Sequence, residues 1–166
     1  MEYLDVYNKD KELTGKVIPR AKGKPELEPG EYIRIIIIFI QNSKNELLIQ
    51  MTSKEKGSIW ATTGGLVSSG DTVDKTVIKE VQEELGLDIS NEDVKHIGCF
   101  EKGVAFFDVY YLKKDIDIKD ITYQKEEVEY VKWLSFDEID TLISEDKFRP
   151  GHIPGLNLLK DYLNNN

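Results

Sequence analysis

The chain has 166 residues, with 40% hydrophobic and 32% charged residues and a formal charge of −9, the profile of one folded domain with its own core rather than of a disordered segment. The acidic excess argues against sequence-independent binding to nucleic acid, which needs a basic surface, but not against a small phosphorylated ligand whose charge a metal ion masks. One cysteine, Cys99, leaves no intrachain disulfide, and the N-terminus is too acidic and polar for a secretory signal; a cytoplasmic protein is the expectation.

In chain order, residues 3–15, YLDVYNKDKELTG, alternate apolar and polar positions around a turn and predict a short strand or hairpin. Residues 19–32, PRAKGKPELEPGEY, are a Pro/Gly/Lys/Glu loop. The run YIRIIIIFI at 32–40 is β-branched and apolar on both faces, so it reads as a central strand covered on each side. It is far too short to span a bilayer, and no membrane association is expected. After the turn QNSKN, the segment ELLIQMT at 46–52 returns as the neighbouring strand, and SKEKGSIWATTGG at 53–65 is a loop.

A helix follows, opened by Gly70-Asp71-Thr72, whose Asp or Thr side chain caps exposed amides, and closed by Gly86. Residues 94–114 supply two strands with a turn near Lys102-Gly103, and a polar linker at 115–127 leads into the strand VEYVKWL. Ser135 to Glu138 form a capping box for a second helix through Ile143; a loop at 145–155 and a short helix at 156–163 end the chain. Strands with helices at intervals, one strand buried on both faces, predict a mixed sheet sandwiched between helices, an α/β layered domain spanning residues 1–166.

The first helix carries the chemistry. Val73, Val77, Ile78, Val81 and Leu85 form an apolar stripe. Glu80, Glu83 and Glu84 form a second stripe, centred roughly 100° around the axis. Like charges at this spacing destabilise a helix by a few tenths of a kcal/mol, about what a bound cation would offset many times over. Oxygen donors converging along the seam with the preceding loop suit Mg²⁺ or Mn²⁺, which favour hard oxygen ligands in octahedral geometry. The Gly64-Gly65 pair lets backbone approach a ligand closely. The chemistry this predicts is metal-assisted attack of water on a phosphoanhydride, with one carboxylate taking the water's proton. The competing reading is a solvated acidic helix face.

The spacing from Gly65 through Asp71, Lys79-Glu80-Val81, Glu83-Glu84 and Leu85-Gly86-Leu87 resembles the Nudix box. Two positions depart: Asp71 stands where that family has Glu, and Lys79 where it has Arg, which lysine cannot replace as a bidentate partner of a carboxylate. The resemblance implies an α/β/α sandwich with a mixed central sheet, dependence on Mg²⁺ or Mn²⁺, and hydrolysis of a nucleoside diphosphate linked to another moiety. It implies Glu83 and Glu84 as metal ligands, Glu80 as a further ligand or proton acceptor, the Gly64 carbonyl as a contributor, Lys79 as an orienting group and Asp71 as a water-mediated ligand. An additional acid from beyond the box is expected, with Glu127 the choice ahead of Glu126 and Glu101. Many such relatives are dimers, so a homodimer is among the expectations.

The flanking segments, including SIWATTGGLVSSGD, are similar to the branch that contains isopentenyl diphosphate isomerase and hydrolase-like relatives. Those isomerases use a cysteine in the strand and loop before the box, where this chain has Ala61-Thr62-Thr63-Gly64, so isomerisation is not expected. A nucleotide-binding or sensing domain with weakened chemistry is the alternative that the two departures motivate.

Elsewhere, Trp60 reads as packing under the glycine loop rather than stacking on a base. Arg20 and Arg34 read as salt-bridging ahead of phosphate clamping. Phe106, Phe107, Tyr110 and Tyr111 follow strand periodicity, Cys99 reads as a small buried hydrophobe, and His96 and His152 read as structural. The segment FRPGHIPG borders either the pocket or an oligomer interface.

Overall fold

A computed structural model describes residues 2–166 of the chain. An N-terminal antiparallel hairpin, β1 (Tyr3–Tyr7) and β2 (Leu13–Pro19), is followed by β3 (Ile33–Gln41) and β4 (Leu47–Thr52). Two short strands, β5 (Trp60–Ala61) and β6 (Thr63–Leu66), precede helix α1 (Val73–Leu85). Then come β7 (Lys95–Lys102), β8 (Ala105–Lys113), β9 (Val128–Leu134), α2 (Phe136–Ser144) and α3 (Ile153–Asn164).

The alternation in β3 divides the core in two. Ile37 and Phe39, with Leu47 and Ile49 of β4, pack against Ile139 of α2 and Leu156 and Leu159 of α3. Ile36, Ile38 and Ile40, with Leu48, pack on the other face against Val77, Val81 and Leu85 of α1. Successive strand side chains point to opposite faces, so an unbroken apolar run is what a sheet covered on both sides requires. The expected α/β/α sandwich with a mixed sheet is present.

The pairing of β3 positions everything that follows. It runs parallel to β8 along its whole length, from Ile33 beside Ala105 to Gln41 beside Lys113. On its other edge it pairs antiparallel with β6, Ile35 to Ile38 against Leu66 to Thr63. It meets β4 only where Gln41 faces Leu47. The two strands therefore diverge from their turn, and β4 pairs instead with β9 and β5. β4 is the neighbour of β3 that was expected, but paired only at their turn, and the expectation that residues 53–65 are a loop is corrected by β5 and β6. Thr63-Gly64-Gly65-Leu66 is a strand because the open edge of β3 offers its backbone partners, not because glycine favours strands.

The helix ends behave as expected. Thr72 caps α1, accepting a hydrogen bond from the Lys75 amide at 3.1 Å, and Gly86 ends it at φ 67°. Ser135 and Glu138 form the reciprocal capping box of α2. Helix α3 starts at Ile153, three residues before the expected Leu156, because Pro154 sits in its first turn, where a missing amide costs nothing.

The hairpin β1–β2 is tied to the approach to α1. The Ser69 amide donates to the Tyr3 carbonyl at 2.7 Å, and the Asp5 carboxylate accepts from the Ser69 hydroxyl at 2.6 Å and the Gly70 amide at 3.0 Å. No helix among the described residues is long and apolar enough to cross a membrane.

The ledger of burial gives a direct test. Leu156, 0% exposed under the sheet, should cost about 2–5 kcal/mol of unfolding free energy in urea when replaced by Ala. Leu13, 65% exposed on β2, should cost less than about 0.5 kcal/mol for the same change.

Candidate functional site

The three acids of α1 do not share one environment. Relative to buried Val77, the helical advance of 100° per residue places Glu84, Glu80 and Glu83 roughly 20°, 60° and 120° around the axis. Glu84 accordingly falls within the apolar face and is 3% exposed, Glu80 is half-buried, and Glu83 is exposed.

A buried carboxylate must find donors or lose its charge. Glu84 has one donor: Gln50 Nε2 on β4 reaches Glu84 Oε1 at 3.1 Å. The Thr63 hydroxyl on β6 in turn donates to Gln50 Oε1 at 3.1 Å, so the amide is held from both ends. Among the described residues, Glu84 Oε2 accepts no hydrogen bond from the protein. One turn earlier, the Glu80 carboxyl lies against the Gly65 backbone, where a Cβ would overlap it. A Cβ on Gly64 would overlap the Ile36 carbonyl. The glycine pair is thus required by close approach on both sides: sheet backbone on one, acid on the other.

Gln50, Gly64, Gly65 and Glu84 line a cleft of about 250 Å³ together with Arg20, Lys56, Glu127, Arg149 and His152, and Glu80 is not among the lining residues. Glu127, at the end of the polar linker, is brought in by Ser53, whose amide donates to the Glu127 carbonyl at 3.0 Å. Its side chain lies 3.4 Å from Lys56 Nζ. Glu126 and Glu101 are exposed and are not among the lining residues.

The electrostatics follow from burial. Desolvation pushes the Glu80 carboxyl up to about 7, with the charge of Glu83 adding to it. Desolvation also holds Glu84 well above the usual carboxylate range, against the opposing pull of Gln50, and the charges of Glu80 and Glu127 add to the rise. His152, 6% exposed, is pulled down to about 3 by burial and by Arg149. It is neutral, and its Nδ1 accepts from the Thr62 amide at 3.3 Å, which is a structural use, as expected.

The remaining residues singled out by sequence fall into place. Asp71 and Lys79, the two departures from the Nudix pattern, face each other at 3.9 Å and neither lines the cleft. Arg34 is bound by buried Asp108, with Nε at 3.0 Å. Arg20 pairs with Glu2 at 2.9 Å while also lining the cleft. Trp60 packs edge-on against Tyr130 with ring centroids 5.6 Å apart. Cys99 lies in β7 and is not among the cleft's lining residues. Gln50, Thr63 and Lys56 carried no sequence signal, since each is a common polar residue in an unremarkable context, and Arg149 was singled out only through its segment, FRPGHIPG, which borders the cleft.

The donors present suit a hard cation: all are oxygens, two are carboxyls that burial keeps from ionising easily, and one oxygen lacks any partner. Among the described residues, no group of three His, Cys, Asp or Glu side chains is already gathered closely enough to hold a metal ion. Glu84, Glu127 and the Gly64 backbone are the groups the fold brings to the cleft; Glu80 lies against its Gly65 wall without lining it, and Glu83 is exposed and does not line it.

Comparison with known proteins identifies the family of the chain. The sequence pattern of the NUDIX domain matches residues 31–158. An uncharacterized Nudix hydrolase of Listeria monocytogenes is 36% identical over 156 residues, covering 90% of this chain and 89% of the relative. In fold, the chain resembles DR0079 from Deinococcus radiodurans, with a TM-score of 0.78, 22% identity and coverage of 96% and 98%. It also resembles the NUDIX domain of Shewanella oneidensis NrtR, determined with ADP ribose, with a TM-score of 0.64, 12% identity and coverage of 80% and 88%.

The raised carboxyls predict a pH dependence in EDTA. Folded Glu80 holds its proton from pH 4.5 up to about 7 while the unfolded chain releases it, so this group disfavours folding increasingly as pH rises through that window. Neutral His152 acts in the opposite sense, favouring the fold as pH rises from about 3 to 6.5. The difference between wild type and a Glu80→Gln/Glu84→Gln variant isolates the acids. The variant's advantage in thermal midpoint should grow from pH 4.5 to 7 and vanish on addition of Mn²⁺, which competes with protons for the same oxygens.

Proposed function

The chain belongs to the NUDIX family and is a pyrophosphohydrolase of that type, and from this premise we propose that it cleaves the diphosphate linkage of a nucleoside diphosphate joined to another moiety, with Mg²⁺ or Mn²⁺. The observation that carries the reading is the partnerless Oε2 of Glu84, on a buried acid set near a second acid, Glu80, on a helix that otherwise faces the core. Such an oxygen is costly to keep unless a cation meets it.

Glu84, Glu80 and Glu127 would hold the cation, with Glu83 from the solvent side and the Gly64 carbonyl from the sheet; Asp71 would act through water. A bound divalent cation supplies charge neutralisation at the phosphate oxygens and makes water easier to deprotonate. The rest is the work of the chain. Gln50 fixes the rotamer of Glu84 through a 3.1 Å hydrogen bond, so its free oxygen points in one direction. Glu80, where it does not itself ligate the cation, is the group that accepts the proton of the attacking water. Lys79 holds Asp71 at 3.9 Å and lowers the charge density beside Glu80.

The ADP ribose bound by the Shewanella domain supports a nucleotide-derived substrate. The formal charge of −9 supports a small-molecule substrate rather than a nucleic acid. We take residues 1–166 as one catalytic domain, cytoplasmic, with a homodimer among the assemblies open to it.

A panel of nucleoside diphosphate compounds with Mg²⁺ and Mn²⁺, scored for the bond cleaved, tests the reading. Glu84→Gln and Glu83→Gln should each lower turnover at least about 100-fold and weaken Mn²⁺ binding seen by electron paramagnetic resonance, with the folded state intact by circular dichroism. Unchanged turnover and unchanged Mn²⁺ binding in Glu84→Gln would refute it.

A further inference from the structure

The same cleft holds a second charged group that the fold has fixed in place and left largely unused. Arg149 follows buried Phe148, 1% exposed, and precedes buried His152, 6% exposed. Its own amide donates to the Trp60 carbonyl at 2.8 Å, and the Trp60 amide donates to the Lys147 carbonyl at 3.0 Å. The segment is therefore stitched alongside β5 and pinned at both ends. The side chain is half-buried and lines the cleft with Glu84, Glu127 and Gly64.

A guanidinium carries five N–H donors. Among the described residues, the Arg149 side chain spends one contact, Nη2 to the Lys56 carbonyl at 3.0 Å. Glu84 and Glu127 are near enough to act on its charge, yet it forms an ion pair with neither. An arginine that could neutralise a partnerless carboxylate in the same cleft, and does not, leaves room between them for a third group. That group must be anionic toward Arg149 and carry a cation toward Glu84. A diphosphate with its metal has both characters.

We propose that Arg149 forms the anion subsite of this cleft and binds a phosphate group of a diphosphate ligand through paired N–H donors. This rests on the hydrolase reading above and adds to it a substrate-binding residue from the segment between α2 and α3, well outside the acidic helix. The pinned backbone and the Nη2 contact with the Lys56 carbonyl hold the guanidinium at the cleft before a ligand arrives, which is how a preorganised arginine gains affinity.

The test uses methylenediphosphonate, a diphosphate analogue that cannot be hydrolysed, titrated calorimetrically into the full chain with Mg²⁺ and separately in EDTA. Arg149→Gln keeps a donor for the Lys56 carbonyl but removes the charge; Arg149→Lys keeps the charge but loses the fork. Binding should weaken at least about tenfold in Arg149→Gln, and by less in Arg149→Lys, under both conditions. Mn²⁺ binding without the analogue should be unchanged in both variants. Equal affinity of Arg149→Gln and wild type for the analogue overturns the proposal, as does a loss of Mn²⁺ binding in Arg149→Gln, which would mark the residue as a support for the acids. Failure of wild type to bind Mn²⁺ would instead overturn the hydrolase reading, and the EDTA titration distinguishes that failure from this one.

Discussion

A carboxylate buried among valines with one oxygen satisfied and the other bare is the constraint around which this molecule is arranged. Desolvating such a group costs several kcal/mol unless its charge is met, and the helix could have avoided this by a modest rotation. It does not rotate, because Val77, Val81 and Leu85 must reach Ile36, Ile38 and Ile40 of the sheet. Packing of the apolar stripe therefore drives Glu84 inward, and the acid's discomfort is a consequence of the core being well formed. Gln50 and Thr63 limit that discomfort without removing it.

The sheet supplies the space. Because β3 and β4 part after Gln41 and Leu47, a gap opens in which β6 pairs with β3 and β5 with β4. Two glycines let β6 lie flush against both the Ile36 carbonyl and the Glu80 carboxyl. Any side chain there would push the strand off the sheet or displace the acid. The acidic and basic walls then come from distant parts of the chain, Glu84 from α1, Glu127 from the linker and Arg149 from the approach to α3. Their convergence depends on the sheet order rather than on local spacing.

This explains what could be read from residues alone. The central strand, the caps of α1 and α2 and the β7–β8 turn depend on local chemistry, and the run Ile33–Ile40, Thr72, Ser135 and Gly103 announced them. The acids were legible as a group, but treating them as one stripe hid the spread of roughly 100° that separates a buried Glu84 from an exposed Glu83. Strand β6 was illegible because glycines carry no strand signal and its stability comes from the edge of β3. Gln50 and Arg149 were illegible for a related reason: a glutamine in an alternating strand and an arginine before a proline acquire meaning only through what lies opposite them. The pairing of Lys79 with Asp71 was likewise invisible, although each had been noticed separately.

The ties between the N-terminal hairpin and the turn before α1 have a temporal side. Asp5 and Ser69 are 64 residues apart in sequence, and a ribosome delivers the N-terminal partner first. The hairpin can close on itself early, since a short loop costs little entropy, and Tyr7 pairs with Tyr32, but Asp5 cannot meet Ser69 and Gly70 until the glycine strand and its turn have emerged. Its hydrogen bonds to that turn therefore form only after residues 69 and 70 have emerged, so the first strands of the domain wait on the approach to α1 for their last partners.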